Sequence, residues 1–276
     1  MQRKRAFVQQ AIAILDSGVG GLTVVKEVMR QLPQEKIIYF GDTARTPYGP
    51  RSPDEVRLFT KQIVDYLIQF KPKLIVIACN TATAAALDYI RAAVDIPVVG
   101  VIHPGARAAV KTTKIGIVGV IGTEGTIQSK AYVLALKQLS PHIQVIQLAC
   151  PTFVPLVEQG LFDTEETRLE IEKSLKPLHE VGMDCLILGC THYPFLRKTI
   201  SKVMGNRVNL ISSADETARE ISTVLYHHNQ LATTHAMPIH QFFCSGDSKI
   251  FQQIAQDWLG EQIKVSPVVW QVPGII

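Results

Sequence analysis

The sequence is poor in charge. Only 19% of its 276 residues are Asp, Glu, Lys or Arg, whereas 47% are hydrophobic. Basic residues do not cluster beyond the Arg3-Lys4-Arg5 run, and the net charge is only +4. A main role in binding nucleic acid therefore lacks its electrostatic footprint. No segment reaches the ~18 consecutive apolar residues of a membrane span. Cysteine is scarce and odd in number, at positions 79, 150, 185, 190 and 244. A chain this long and apolar needs no disulfide staples, so these read as free thiols in a reducing cytoplasm. The N-terminus, MQRKRAFVQQAIAIL, imitates a secretory signal. However, Gln9 and Gln10 interrupt the apolar run, and a glycine loop follows in place of a small-residue cleavage site. Residues 1–9 read as a short tail, and the expectation is a soluble, cytoplasmic protein.

Cofactor fingerprints are missing too. DSGVGG (16–21) follows a strand, but Gly18, Gly20 and Gly21 do not fit G-x-G-x-x-G, and no P-loop lysine accompanies them. Cys190-Thr191-His192 has no second nearby Cys or His pair, which makes a poor zinc signature. No pyridoxal motif is evident. The sequence thus carries no clear motif for a nucleotide, zinc or pyridoxal group.

What remains is a regular alternation. Apolar runs at 11–15, 36–40, 74–78, 97–101, 114–119, 143–148, 184–188, 207–211 and 240–244 read as strands. Amphipathic segments near 20–31, 53–69, 82–92, 124–138, 165–180, 195–204, 215–228 and 248–258 read as helices. Ser52-Pro53-Asp54-Glu55 carries a cap, an N1 proline and a capping-box glutamate; Asp163 and Glu166 repeat the spacing. Leu58, Ile63, Leu67 and Phe70 lie close to one helical stripe. Near-continuous apolar strands between helices predict parallel sheets covered on both faces.

The chain also repeats itself. Strand, glycine loop, helix and then VIACNT (76–81) occur in the first half. Strand, glycine loop (119–126), helix and then LILGCT (186–191) occur in the second. This predicts an α/β fold of two similar domains, each a mostly parallel sheet flanked by helices, with the cysteines of the two halves able to face each other across one site. The first domain is expected over 1–102 plus 212–276 and the second over 103–211. The Pro- and Gly-bearing segment 102–113 reads as the join, and the last part of the chain completes the first sheet.

Cys79 and Cys190 carry the chemistry. Each ends an apolar strand and is followed by hydroxyl-bearing residues. A lone buried cysteine is most often an inert small hydrophobe, and Cys150, Cys185 and Cys244 are assigned that role. Two cysteines at matched strand ends are another matter. Facing thiols can take a proton from one side of a carbon and return it on the other. A helix starting after each would lower its pKa from ~8.5 toward neutrality. His192 is placed to serve Cys190 as a general base. Asp16, at a strand's C-terminal end, is placed to orient or deprotonate a thiol. The glycine loop suits an anionic guest at a helix N-terminus, here a carboxylate, or else a plain structural turn. In GDTARTPYGPRS (41–52), Tyr48 and Gly49 offer a hydroxyl and backbone N–H groups to a ligand, or form an ordinary surface loop. Glu158 is open between a structural and an indirect catalytic role. The histidines other than His192, His235 among them, read as surface or structural residues.

DSGVGG, GDTARTPYG, ACNTAT, GTEGT, CPTFVPLVEQG and GCTHYP, in this order and spacing, closely resemble the glutamate racemase family. The resemblance runs from about residue 11 to about residue 258. It implies a cofactor-independent isomerase that interconverts L- and D-glutamate and supplies D-glutamate for peptidoglycan. It implies that Cys79 and Cys190 are the two proton carriers, helped by Asp16, Glu158 and His192. Substrate-binding positions carry over to Asp16, Ser17, Tyr48, Gly49, Asn80, Thr81, Thr123, Thr191 and His192. The resemblance further implies an active site in the cleft between the two domains and a homodimer, with a small-molecule substrate as the only obligatory partner. Two alternatives stay open: a two-cysteine racemase of aspartate or another amino acid, and a non-enzymatic anion-binding protein. The tail VVWQVPGII lies outside every motif and is unexplained.

Overall fold

The computed structural model describes residues 9–233 and 237–270. Residues 1–8 of the expected tail, His235 and residues 271–276 lie outside the described residues. Among the described residues, ten strands form two sheets, and every pairing is parallel. The first sheet contains β1 (Ile12–Asp16), β2 (Ile37–Gly41), β3 (Leu74–Ile77), β4 (Val98–Gly100), β9 (Gln241–Cys244) and β10 (Val265–Pro267). The second contains β5 (Ile117–Gly122), β6 (Gln144–Ala149), β7 (Cys185–Gly189) and β8 (Asn209–Ser212).

The strand orders carry the internal repeat. The first sheet runs β10-β9-β2-β1-β3-β4 and the second β6-β5-β7-β8. Remove β9 and β10, and the two orders are the same walk. The cysteine strands β3 and β7 each lie beside the strand that opens their half, β1 and β5. The last two strands extend the first sheet at β2, as expected of the returning chain.

Apolar faces explain the packing. On one face of the first sheet, Ala13, Leu15, Phe40, Ile75 and Ile77 meet helices Pro53–Ile68 and Asn80–Ala93. On the second, Val118, Val120 and Ile187 meet helices Ile102–Thr112 and Ala131–Leu139. The opposite faces share one continuous core, in which Ile12, Ile14 and Val76 join Ile121, Leu186 and Leu188. Burying both faces of a parallel sheet accounts for the near-continuous apolar runs.

Several expectations change. The join at 102–113 is helix Ile102–Thr112. Pro104 falls in its first turn, where a missing N–H removes no helical bond. Gly105 leaves room for the Tyr132 ring and for Ser213. The strand expected at 114–119 is Ile117–Gly122. The helix expected at 124–138 breaks at Lys130, whose φ of 55° is left-handed. Helix Glu165–Leu175 ends before 180, in a short 3-10 turn. Its cap is Thr164, which accepts from the Thr167 N–H at 3.2 Å, rather than Asp163. Ser52 forms the full capping box. Leu58 is more than half exposed and so leaves the buried stripe. Helix Phe153–Glu158 and strand β10 were not foreseen.

The chain crosses between the sheets twice, entering helix Ile102–Thr112 after β4 and helix Ser213–His227 after β8. These two helices pack side by side and are tied by an Arg107–Glu220 ion pair.

Candidate active site

Both cysteine strands deliver their sulfur to one place. Ser17, Pro47, Tyr48, Gly49, Cys79, Asn80, Thr81, Thr123, Val154, Cys190, Thr191 and His192 line a single narrow cavity. It is closed: Cys79 is 5% and Cys190 6% exposed. Pro47 and Val154 are the lining residues that the sequence reading missed. Pro47 was read only as a turn former, and Val154 carries no chemistry that marks it.

The two thiols have different surroundings. Cys79 caps helix Asn80–Ala93, and its Sγ accepts from the Ala82 N–H at 3.4 Å. That contact does not lower its pKa to neutrality. Burial pushes the thiol up to about 12, and the charge of nearby Asp16 adds to the effect. No α-helix starts directly after Cys190; a 3-10 turn, Tyr193–Leu196, comes first. His192 Nδ1 lies 3.6 Å from the Cys190 Sγ, and its Nε2 donates to Glu158 Oε1. Burial alone would lower the His192 pKa. The bonds to Cys190 and Glu158, and their charges, outweigh it and hold the imidazole well above its ordinary value.

Asp16 and Glu158 stand behind the cavity wall. Asp16 is fully buried; Oδ1 accepts from the Gly18 N–H at 3.0 Å and Oδ2 from the Thr191 hydroxyl at 2.9 Å. Burial raises its pKa to about 6, against the opposing pull of His192, Thr191 and Gly18. Glu158 reaches from the second half to the glycine loop, where it accepts from the Val19 N–H at 2.9 Å. The anionic guest of the glycine loop is therefore the protein's own carboxylate. The glycines are needed for this approach. A Cβ at Gly18 would strike the Glu158 carboxylate, and one at Gly20 would strike Thr191 and the His192 ring.

Hydroxyls join the halves elsewhere. Thr81 Oγ1 lies 2.8 Å from Thr123 Oγ1 and 3.2 Å from Thr126 Oγ1. The Gly125 N–H donates to the Gly49 carbonyl at 2.9 Å. Tyr132 donates to Asn80 Oδ1 at 2.8 Å, which leaves the buried Asn80 Nδ2 without an acceptor among the described residues. The Tyr48 hydroxyl donates to Asp42, so its proton is not offered to the cavity as expected. Burial and the Asp42 carboxylate hold the Tyr48 pKa well above its ordinary value. Cys150, Cys185 and Cys244 are buried in the core away from the lining. Among the described residues, no three His, Cys, Asp or Glu side chains gather as a metal site, and no helix is long and apolar enough to cross a membrane.

The pattern of the Asp/Glu/Hydantoin racemase family matches residues 17–221. The chain is 54% identical to a glutamate racemase of Oceanobacillus iheyensis, over 90% of this chain and 91% of that one. The crystal structure of glutamate racemase isoform RacE1 from Bacillus anthracis superposes with a TM-score of 0.91. That protein is 51% identical, and the match covers 95% of this chain and 98% of the other. Glutamate racemase from Francisella tularensis in complex with D-glutamate superposes at 0.87 with 34% identity, covering 95% and 98%. Fold, length and sequence thus agree across relatives of one kind, and this chain is an isomerase that belongs to the Asp/Glu/Hydantoin racemase family.

Proposed function

We propose that the protein interconverts L- and D-glutamate without a cofactor, by proton transfer between two thiols. One observation carries the reading: Cys79 and Cys190, from equivalent strands of two sheets, line one closed cavity. Cys79 is the base toward D-glutamate, with Asp16 behind it. Cys190 is the base toward L-glutamate, with His192 and Glu158 behind it. One thiolate takes the Cα proton, leaving a carbanion; the opposite thiol then gives its proton to the other face. The sulfurs exchange roles, so the next turnover runs back or the protons redistribute.

The Cα proton is weakly acidic, and several effects have to combine. Hydrogen bonds to the α-carboxylate make the adjacent carbanion less unfavourable. Asn80 Nδ2 is a buried donor without an acceptor, which suits that task. The Thr81, Thr123 and Thr191 hydroxyls surround the same space. Ser17, Tyr48, Gly49 and His192 complete the substrate-binding set, and Asp16 acts from behind Thr191. A closed cavity holds sulfur and Cα in line and excludes water.

Wider context follows from this reading. The product serves peptidoglycan synthesis in the cytoplasm, and the protein works as a homodimer. Its domains divide as 1–102 plus 212–276 and 103–211, in keeping with the strands of the two sheets.

The test is circular dichroism of L-glutamate, and separately D-glutamate, with purified enzyme, a chelator and no added cofactor. Decay of both signals to zero is expected. Decay with aspartate alone would keep the chemistry and change the substrate. Binding without exchange of the Cα proton would sink the reading.

A further inference from the structure

Part of the C-terminal tail that no motif explains is linked to the candidate site through Asp42. β10 ends at Pro267, and the Val268 N–H donates to the Cys244 carbonyl at 2.8 Å. This carries Trp270 to the end of the first sheet, where Asp42 follows β2. Trp270 Nε1–H donates to Asp42 Oδ1 at 2.8 Å. The indole lies 5.4 Å from the Phe40 ring, and the Arg45 guanidinium sits 4.3 Å from its centroid.

Asp42 is fully buried and uses both oxygens. Oδ1 accepts from Trp270 and from the Ser245 hydroxyl, the latter at 2.7 Å. Oδ2 accepts from Arg45 Nε at 2.6 Å and from the Tyr48 hydroxyl. Tyr48 and the adjacent Gly49 line the cavity. The Gly49 carbonyl accepts from the Gly125 N–H at 2.9 Å, which links the loop to the second half. A continuous path therefore runs from the tail through a buried carboxylate to the loop that closes the site.

We propose that Trp270 is a positioning residue: acting through Asp42, it fixes the loop that presents Tyr48 and Gly49 to the substrate. It touches no reacting atom. Without its N–H, Asp42 keeps the other three partners but loses the one supplied by the tail. Without its ring, Arg45 loses one of the two aromatic faces that sandwich it, the other being Phe59. Both losses loosen the loop before they loosen the sheet.

The kinetic part rests on glutamate being the substrate; a second readout does not. Trp270→Ala is expected to raise KM for both enantiomers about tenfold, with a smaller change in kcat, because the loop serves either hand of substrate. Hydrogen exchange should quicken across residues 42–52 and at the Gly125 amide. Trp270→Phe keeps a ring but no N–H, and should lie between wild type and Trp270→Ala in both readouts. It also carries the test if the alanine variant does not fold. Val265→Ala, in β10 just before Trp270, serves as the stability control and should lower the thermal midpoint without moving KM. Unchanged KM and unchanged exchange in the Trp270 variants would overturn the proposal, as would an equal rise in KM for Val265→Ala. If the wild type fails to racemise glutamate, the functional reading falls, and the exchange data still decide the role of Trp270.

Discussion

β1–β4 and β5–β8 repeat one strand order, and each half sets a cysteine beyond its third strand. The surroundings of the two thiols do not repeat. Behind Cys79 stands Asp16, a carboxylate, and the buried thiol is pushed up to about 12. Beside Cys190 stands His192, held protonated by Cys190 and Glu158. The repeat copies position and leaves electrostatics free to diverge. Proton transfer through one carbon needs a sulfur that holds a proton and a sulfur that lacks one. Burial beside Asp16 suits Cys79 to the first role.

The sharpest way to break the comparison is to remove one sulfur at a time. Cys190→Ala and Cys79→Ala should each lower racemisation by at least about a thousandfold. Each should keep solvent exchange of the Cα proton for one enantiomer only: D-glutamate in Cys190→Ala, L-glutamate in Cys79→Ala. Proton NMR in deuterium oxide reads this directly. Full racemisation by either variant would end the two-thiol scheme.

Next in size is the support behind Cys190. His192→Asn should lower kcat/KM about a hundredfold. Because enantiomers are equal in free energy, kcat/KM must fall equally in both directions. The individual kcat and KM values are free to split, and steady-state assays from each side would show the split. Gly18→Ala acts on the same support from the other half, because its Cβ occupies the place of the Glu158 carboxylate. It should cost about tenfold in kcat/KM through displacement of Glu158 and hence His192.

A last effect falls on stability rather than rate, and concerns Asp16 and pH. Its folded pKa, about 6, lies above the ordinary value of 3.8. Between those values the folded state binds more protons than the unfolded one, so stability falls as pH rises through this window. The full shift corresponds to roughly 3 kcal/mol. Asp16→Asn should remove that slope, which urea melts at pH 4 and pH 7 would reveal. An unchanged slope would mean that another group titrates there.

Much of the frame was legible in the sequence. Strands such as 74–77 and 185–189 announce themselves because both faces of a parallel sheet are buried. Helix Ile102–Thr112 was hidden by Pro104 and Gly105, which read as a join unless the helix start is known. β10, at Val265–Pro267, is too short to show alternation. At the site, the two thiols stood out from their matched strands. The Glu158–Val19 and Asp16–Thr191 bonds did not, because they join residues 139 and 175 positions apart. Nor did the sequence reveal which charge each thiol would meet. That depends on burial and on neighbours brought together only by folding.

The two crossings between the sheets have a mechanical consequence. Helices Ile102–Thr112 and Ser213–His227 lie side by side and share the Arg107–Glu220 ion pair. A body tethered twice along one edge swings about that edge more readily than it slides. Parting the two halves to admit substrate would break the Gly49–Gly125, Thr81–Thr123 and Val19–Glu158 bonds that bridge them. Such a parting displaces solvent, so turnover should slow in viscous media wherever opening, and not the chemistry, sets the pace.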